Sequence, residues 1–114
     1  MNKLIAAIAT FGLALPTASL AESTKELALR KSNAVATYAV LACAQASGLI
    51  TKNDMQKRMA YGLKQLNSLD LIEWLQKGSG RKATLVAMAY TTPDCKGFSD
   101  KTELSKKIVQ YLYD

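Results

Sequence analysis

The chain has 114 residues, 15 basic against nine acidic side chains for a formal charge of +6, two cysteines and no histidine. Without histidine, a Ser-His-Asp triad, a Cys-His pair and every histidine-bearing metal site are excluded. The nine carboxylates fall mostly at predicted helix starts or beside lysines, and none stands in the apolar setting that raises a catalytic pKa.

Residues 1–21, MNKLIAAIATFGLALPTASLA, have the three-part layout of a secretory signal peptide. Lys3 supplies a positive start, Leu4 to Leu15 is an uncharged apolar run, and Pro16 breaks it. Ser19 and Ala21 then place small residues at the two positions a signal peptidase reads. A helix over that run would measure about 18 Å, against the ~30 Å of a bilayer's hydrocarbon core, which argues against a retained anchor. Cleavage after Ala21 is the expectation. It leaves a single domain over residues 22–114 with a formal charge of +5, in a periplasm-like space or outside the cell.

The remainder reads as helical throughout. Ser23 and Glu26 fit a capping box, S-x-x-E. The stretch that follows to Ser47 is rich in alanine and holds neither Pro nor Gly, so it predicts one long helix, with Gly48 as its left-handed stop. Between Ala34 and Ala46 only Thr37 and Gln45 are polar, and a helix apolar nearly all round belongs at the centre of a small bundle. Thirteen such residues are too few to span a membrane.

Thr51 and Asp54 suggest the next helix start, and Met55, Met59, Leu63 and Leu66 recur as one apolar stripe, with Lys57 and Lys64 on the far side. Methionines in such a stripe are core fillers. Asn67-Ser68 reads as a bend. Leu69 to Lys77 predicts a short helix with Leu71, Ile72 and Leu75 on one side, a Glu73–Lys77 pair on the other, and Trp74 flanking the apolar face.

KGSGRK, Lys77 to Lys82, reads as a flexible connector. Its glycines and cations suggest a phosphate cradle, yet the P-loop pattern is not met and no apolar strand precedes it. What remains is a candidate anion-binding cluster of Lys77, Arg81 and Lys82 near a helix start. Ala83 to Tyr90 suits a strand or a helix by pattern; a lone strand has no partner, so helix is expected. Thr91-Thr92-Pro93 ends it. Cys95 follows on a loop, and Ser99 or Asp100 caps a last helix with the stripe Leu104, Ile108, Tyr111 and Leu112.

Cys43 and Cys95 complete the fold reading. In an oxidising compartment they have one possible intramolecular pairing. The other roles of cysteine fit poorly: a catalytic thiol lacks its base, two isolated cysteines do not make a zinc site, and Cys-x-x-Cys is absent. Closing a loop of roughly 50 residues is worth about 4 kcal/mol in the chain-entropy model, a large share of the ~5–15 kcal/mol a small domain commands. The expected fold is all-α: a bundle of four to five helices with one long N-terminal helix, stapled by one disulfide.

For function, the missing nucleophile-base pair points away from an enzyme and toward a protein-binding module: an inhibitor, a chaperone-like protein or a subunit of an envelope complex. In size, helix content and its single Cys43–Cys95 bridge the chain resembles the small acid-stress chaperones of the periplasm. The alternative is a basic membrane-surface or polyanion binder. The pairs Arg30-Lys31, Lys57-Arg58, Arg81-Lys82 and Lys106-Lys107, with Tyr61, Trp74, Tyr111 and Tyr113, are the material for a basic, aromatic surface facing anionic lipid or glycan. Export and the lack of any nucleic-acid motif disfavour DNA or RNA. No metal, cofactor or catalytic residue is expected.

Overall fold

Ser23 opens the first helix as its sequence suggests. Its hydroxyl accepts from the Glu26 amide at 3.0 Å while the Glu26 carboxylate accepts from the Ser23 amide at 3.0 Å, so two otherwise unpaired amides are satisfied together. The structure, a computed structural model, describes residues 22–114; the signal-peptide reading and its cleavage point at Ala21 fall outside the described residues. From this cap α1 runs Thr24–Ala46. Gly48 at φ +78° turns the chain out of the helix, a conformation that costs glycine nothing.

Four more helices follow: α2, Lys52–Gln65; α3, Ile72–Gln76, entered through a 3-10 turn at Leu69–Leu71; α4, Gly78–Met88; and α5, Lys101–Leu112. Thr51 caps α2 by accepting from the Asp54 amide, and Asp100 caps α5 by accepting from the Glu103 amide. Asn67, at φ +56°, makes the predicted bend. The fold is thus all-α with one long N-terminal helix, and no strand occurs among the described residues; an isolated bridge joins Thr91 to Phe98.

Helix α1 is the central element, packed against α2, α4 and α5. Its Ala34, Val35 and Ala39 are fully buried together with Leu63 of α2, Leu75 of α3, and Ala83 and Ala87 of α4; Leu104 and Ile108 of α5 close the core. Alanine at four of these contacts explains the close approach of the helices, because a methyl side chain adds almost nothing to the separation of two helix axes. Of the α2 stripe, Met59 and Leu63 are buried, while Met55 and Leu66 are half-buried at its ends.

KGSGRK departs from the expected connector. Gly78 to Lys82 form the opening of α4, and Lys77 alone separates α3 from α4. Gly80 makes this possible. A Cβ there would lie 2.6 Å from the Trp74 carbonyl carbon and 2.8 Å from the Trp74 ring, so α3 and α4 meet backbone to backbone. Glycine here serves a tertiary approach that a local reading takes for chain flexibility. Ala83 to Met88 is helical, as expected.

Cys43 and Cys95 are joined in a disulfide, with Cα atoms 5.6 Å apart across a sequence separation of 52. Cys95 is buried and takes a left-handed backbone at φ +60°. The bridge holds the loop after α4 over the C-terminal part of α1.

Candidate binding groove

The residues of α1 that face α5 change character along the helix. Ala28, Val35 and Ala39 are buried, but Leu29 is 63% exposed. On α5 Val109 is 47% exposed, and Tyr113 just past its end is 55% exposed, although Leu104, Ile108 and Leu112 beside them are buried. Helix α5 returns antiparallel to α1: Lys101 shares a depression with Ala36 and Val40, and Tyr113 shares one with Lys25 and Leu29. Between the two helices lies a continuous groove. Its middle is a half-enclosed cavity of about 320 Å³ over Val35, Leu104 and Ile108, with Ser32 and Ser105 on its walls. Past Ser32 it opens into an apolar trough of about 380 Å³ bordered by Leu29, Val109 and Tyr113.

The other end of the groove is cationic. Arg58 of α2, Lys96 of the disulfide loop and Lys101 of α5 line one depression with Phe98 and Val40, and no carboxylate lines it. These three cations come from three elements, and the bridge brings them together: by fixing Cys95 on α1, it sets Lys96 and Phe98 against the groove mouth. Of the nearby carboxylates, Asp94 lines the adjoining depression with Lys96, Phe98 and Lys101. Asp94 accepts from the Thr92 hydroxyl at 2.6 Å and the Lys96 amide at 3.1 Å, which hold it below its ordinary pKa. Asp100 caps α5, and Glu103 pairs with Lys107 at 3.8 Å.

The cysteines are the site residues that the structure brings together. The candidate anion cluster lies at the start of α4: Lys77 is its N-cap residue with its ammonium 2.8 Å from Glu73, Arg81 follows one turn on, its amide donating to the Lys77 carbonyl at 3.4 Å, and lines a small depression with Tyr38, Leu85 and Met88, and Lys82 is exposed. Two members of the expected basic surface are structural. Arg30 grips Glu22 through Nε and Nη2 at 2.6 and 2.8 Å and Asp70 through Nη1 and Nη2 at 2.8 and 3.1 Å, and it also donates to the Asn67 carbonyl. Hydrogen bonds from Arg30 hold both carboxyls below their usual range. Lys31 is 7% exposed, lies 4.8 Å from the centroid of the Trp74 ring and donates to the Asp114 main-chain oxygen at 2.8 Å. These two residues fasten α1 to α3 and to the end of the chain.

The groove itself was missed in the sequence. The available signal was Val109 and Tyr113 standing outside the a/d-like stripe of α5, together with Leu29 among charged neighbours. Among the described residues no three of His, Cys, Asp and Glu gather as a metal site, and no helix is long and apolar enough to cross a membrane. No family model, curated protein or solved structure matches the chain, so the groove is read from its own residues.

Proposed function

We propose that the chain is an exported, non-enzymatic protein-binding module that engages its partner through the α1/α5 groove. The observation that carries this reading is the alignment of Leu29, Val109 and Tyr113, three large apolar side chains exposed along one trough on a disulfide-stapled frame. Contiguous apolar surface of this kind marks interaction sites, and a rigid frame limits the entropy lost on docking. The non-enzymatic part rests on the absence of histidine and of an activated nucleophile in the sequence. Export rests on the leader and on the bridge, which is chemistry for an oxidising compartment.

Two measurements test it. Intact mass of the protein recovered from its native compartment should correspond to a chain starting at Glu22 with both thiols oxidised; a retained leader or free thiols would remove export. A photocrosslinker at position 109, in the protein within its native compartment, should give a discrete, saturable protein adduct. A second reading, binding to an anionic surface, draws on the convergence of Arg58, Lys96 and Lys101 around Phe98. Under it, position 109 yields no protein adduct and the protein instead sediments with anionic vesicles in a salt-sensitive manner.

A further inference from the structure

The groove has a length, a cross-section and a polarity, and these describe an occupant. Its walls are two antiparallel helices, and the α5 wall, 12 residues at 1.5 Å each, is about 18 Å long. The mid-groove cavity carries small side chains, Ser32 and Ala36 from α1 and Ser105 from α5, between taller ones at its borders. A cylinder the width of a helix can seat there at the 8–10 Å axial separation of packed helices. The half-enclosed cavity over Val35 and Ile108 is large enough to take one bulky apolar side chain as an anchor. The mouth lined by Arg58, Lys96 and Lys101 lacks a carboxylate, and none of the three forms an ion pair among the described residues.

We infer that the groove accepts an amphipathic helix of a partner protein, apolar along one stripe and acidic at the end that lies by Lys101. This rests on the protein-binding reading above and specifies the partner's chemistry. The apolar stripe covers Leu29, Val109 and Tyr113, a side chain from its middle enters the cavity, and its acidic end meets the three cations. A sheet-edge mode of docking has no template, since no strand occurs among the described residues.

The test uses the purified, disulfide-intact protein and two fluorescein-labelled helical peptides of about 16 residues, long enough to fill the groove. Both share one leucine stripe; the polar positions are Glu in one and Lys in the other. Anisotropy should show saturable binding of the Glu peptide, with the Lys peptide at least tenfold weaker. Leu29→Glu and Val109→Glu should each weaken the Glu peptide about tenfold or more, and Lys101→Glu about threefold to fivefold, because the first two remove apolar burial and the last a rim charge. Leu49→Glu, equally exposed but away from the groove, should bind as the unaltered protein does. Equal binding of the two peptides overturns the inference, as does a Leu49→Glu loss as large as that of Val109→Glu. Displacement of the Glu peptide by dodecanoate or anionic vesicles at low stoichiometry assigns the groove to an acyl chain and likewise overturns it. If the crosslinker at position 109 captures a protein while neither peptide binds, the helical occupant is wrong and the protein-binding reading stands.

Discussion

The two ends of α1 are fastened by different chemistry. At the C-terminal end Cys43 is bonded to Cys95, a link indifferent to pH and salt and open to reductants. At the N-terminal end Arg30 grips Glu22 and Asp70, while Lys31 lies over Trp74 and reaches Asp114. Those contacts ignore reductants and respond to protons and ionic strength. One helix is therefore held at one end by a bond that depends on the compartment and at the other by a network that depends on the solution. The open groove runs alongside α5 from Lys25 and Leu29 past both residues of the ionic fastening toward Val40, so both ends contribute to the frame that presents Leu29 and Val109.

The largest effect should come from the covalent end. Replacing both cysteines, Cys43→Ala with Cys95→Ala, should lower unfolding free energy by about 3–4 kcal/mol, as measured by urea denaturation, because the bridge closes a loop of 52 residues. Reducing the unaltered protein should give the same loss. A difference under about 1 kcal/mol would mean that the apolar core alone fixes the loop on α1. Lys96 and Phe98 would also lose their seat, so the cationic mouth of the groove should disperse with the bridge.

Next is Gly80, which supports the ionic end indirectly. Lys31 lies against Trp74, and Trp74 lies against the backbone of Gly80. Gly80→Ala places a methyl group against the Trp74 carbonyl and ring, neither of which can give way without parting α3 from α4. The expected cost is about 2–3 kcal/mol, above the roughly 0.5–1 kcal/mol by which alanine improves a helix interior. Thermal unfolding would check it; an unchanged midpoint would mean that α3 and α4 are held less closely than the structure has them.

Third is the Arg30 network, where the comparison becomes a pH experiment. Glu22 and Asp70 titrate below their ordinary values of 4.5 and 3.8, chiefly through hydrogen bonds from Arg30. Their folded-state pKa values are lower than in the unfolded chain, so the unfolded chain takes up protons first as the pH falls. The stabilisation is complete above the ordinary values of 4.5 and 3.8 and is lost as the pH falls through the lower folded-state values. Arg30→Met should lower stability modestly at pH 7, since part of the network is open to solvent, and the gap to the unaltered protein should narrow as the pH falls below 4.5, leaving only the contribution of the Asn67 carbonyl contact. Urea denaturation of both proteins across that range reads the difference. In the chain without its bridge the pH dependence should persist unchanged, because the two fastenings share no residue.

The covalent end was legible in the sequence and the ionic end was not. Two cysteines and no histidine leave one economical reading of the sulfurs. Caps at Ser23, Thr51 and Asp100 mark helix starts by local hydrogen bonding, which a sequence displays directly. Arg30 and Lys31 resemble any solvated basic pair, because what distinguishes them is the position of Asp70 and Trp74, some forty residues later and one bend away. Gly80 reads as loop for the same reason: its neighbour in space is a carbonyl six residues back, brought near by a turn made of extended Lys77 and left-handed Gly78. The groove is harder still, since it is defined by what α1 and α5 leave uncovered.

The smallest predicted effect concerns that uncovered surface, and it separates the groove from both fastenings. Leu29 is on α1, one residue before Arg30 and two before Lys31, yet its side chain is exposed. If it served the fold, Leu29→Gln would cost on the scale of a buried leucine, about 2–5 kcal/mol. Exposed as it is, the change should stay within about 0.5 kcal/mol at pH 7, with the response to reductant and to acid both unaltered. Paired with a loss of peptide binding, that result would show three consecutive residues of one helix divided between two tasks: Arg30 and Lys31 turned inward to hold the bundle, and Leu29 turned outward toward a partner. A destabilisation above about 1 kcal/mol would instead place Leu29 with its neighbours, as part of the N-terminal fastening, and leave Val109 and Tyr113 to define the groove alone.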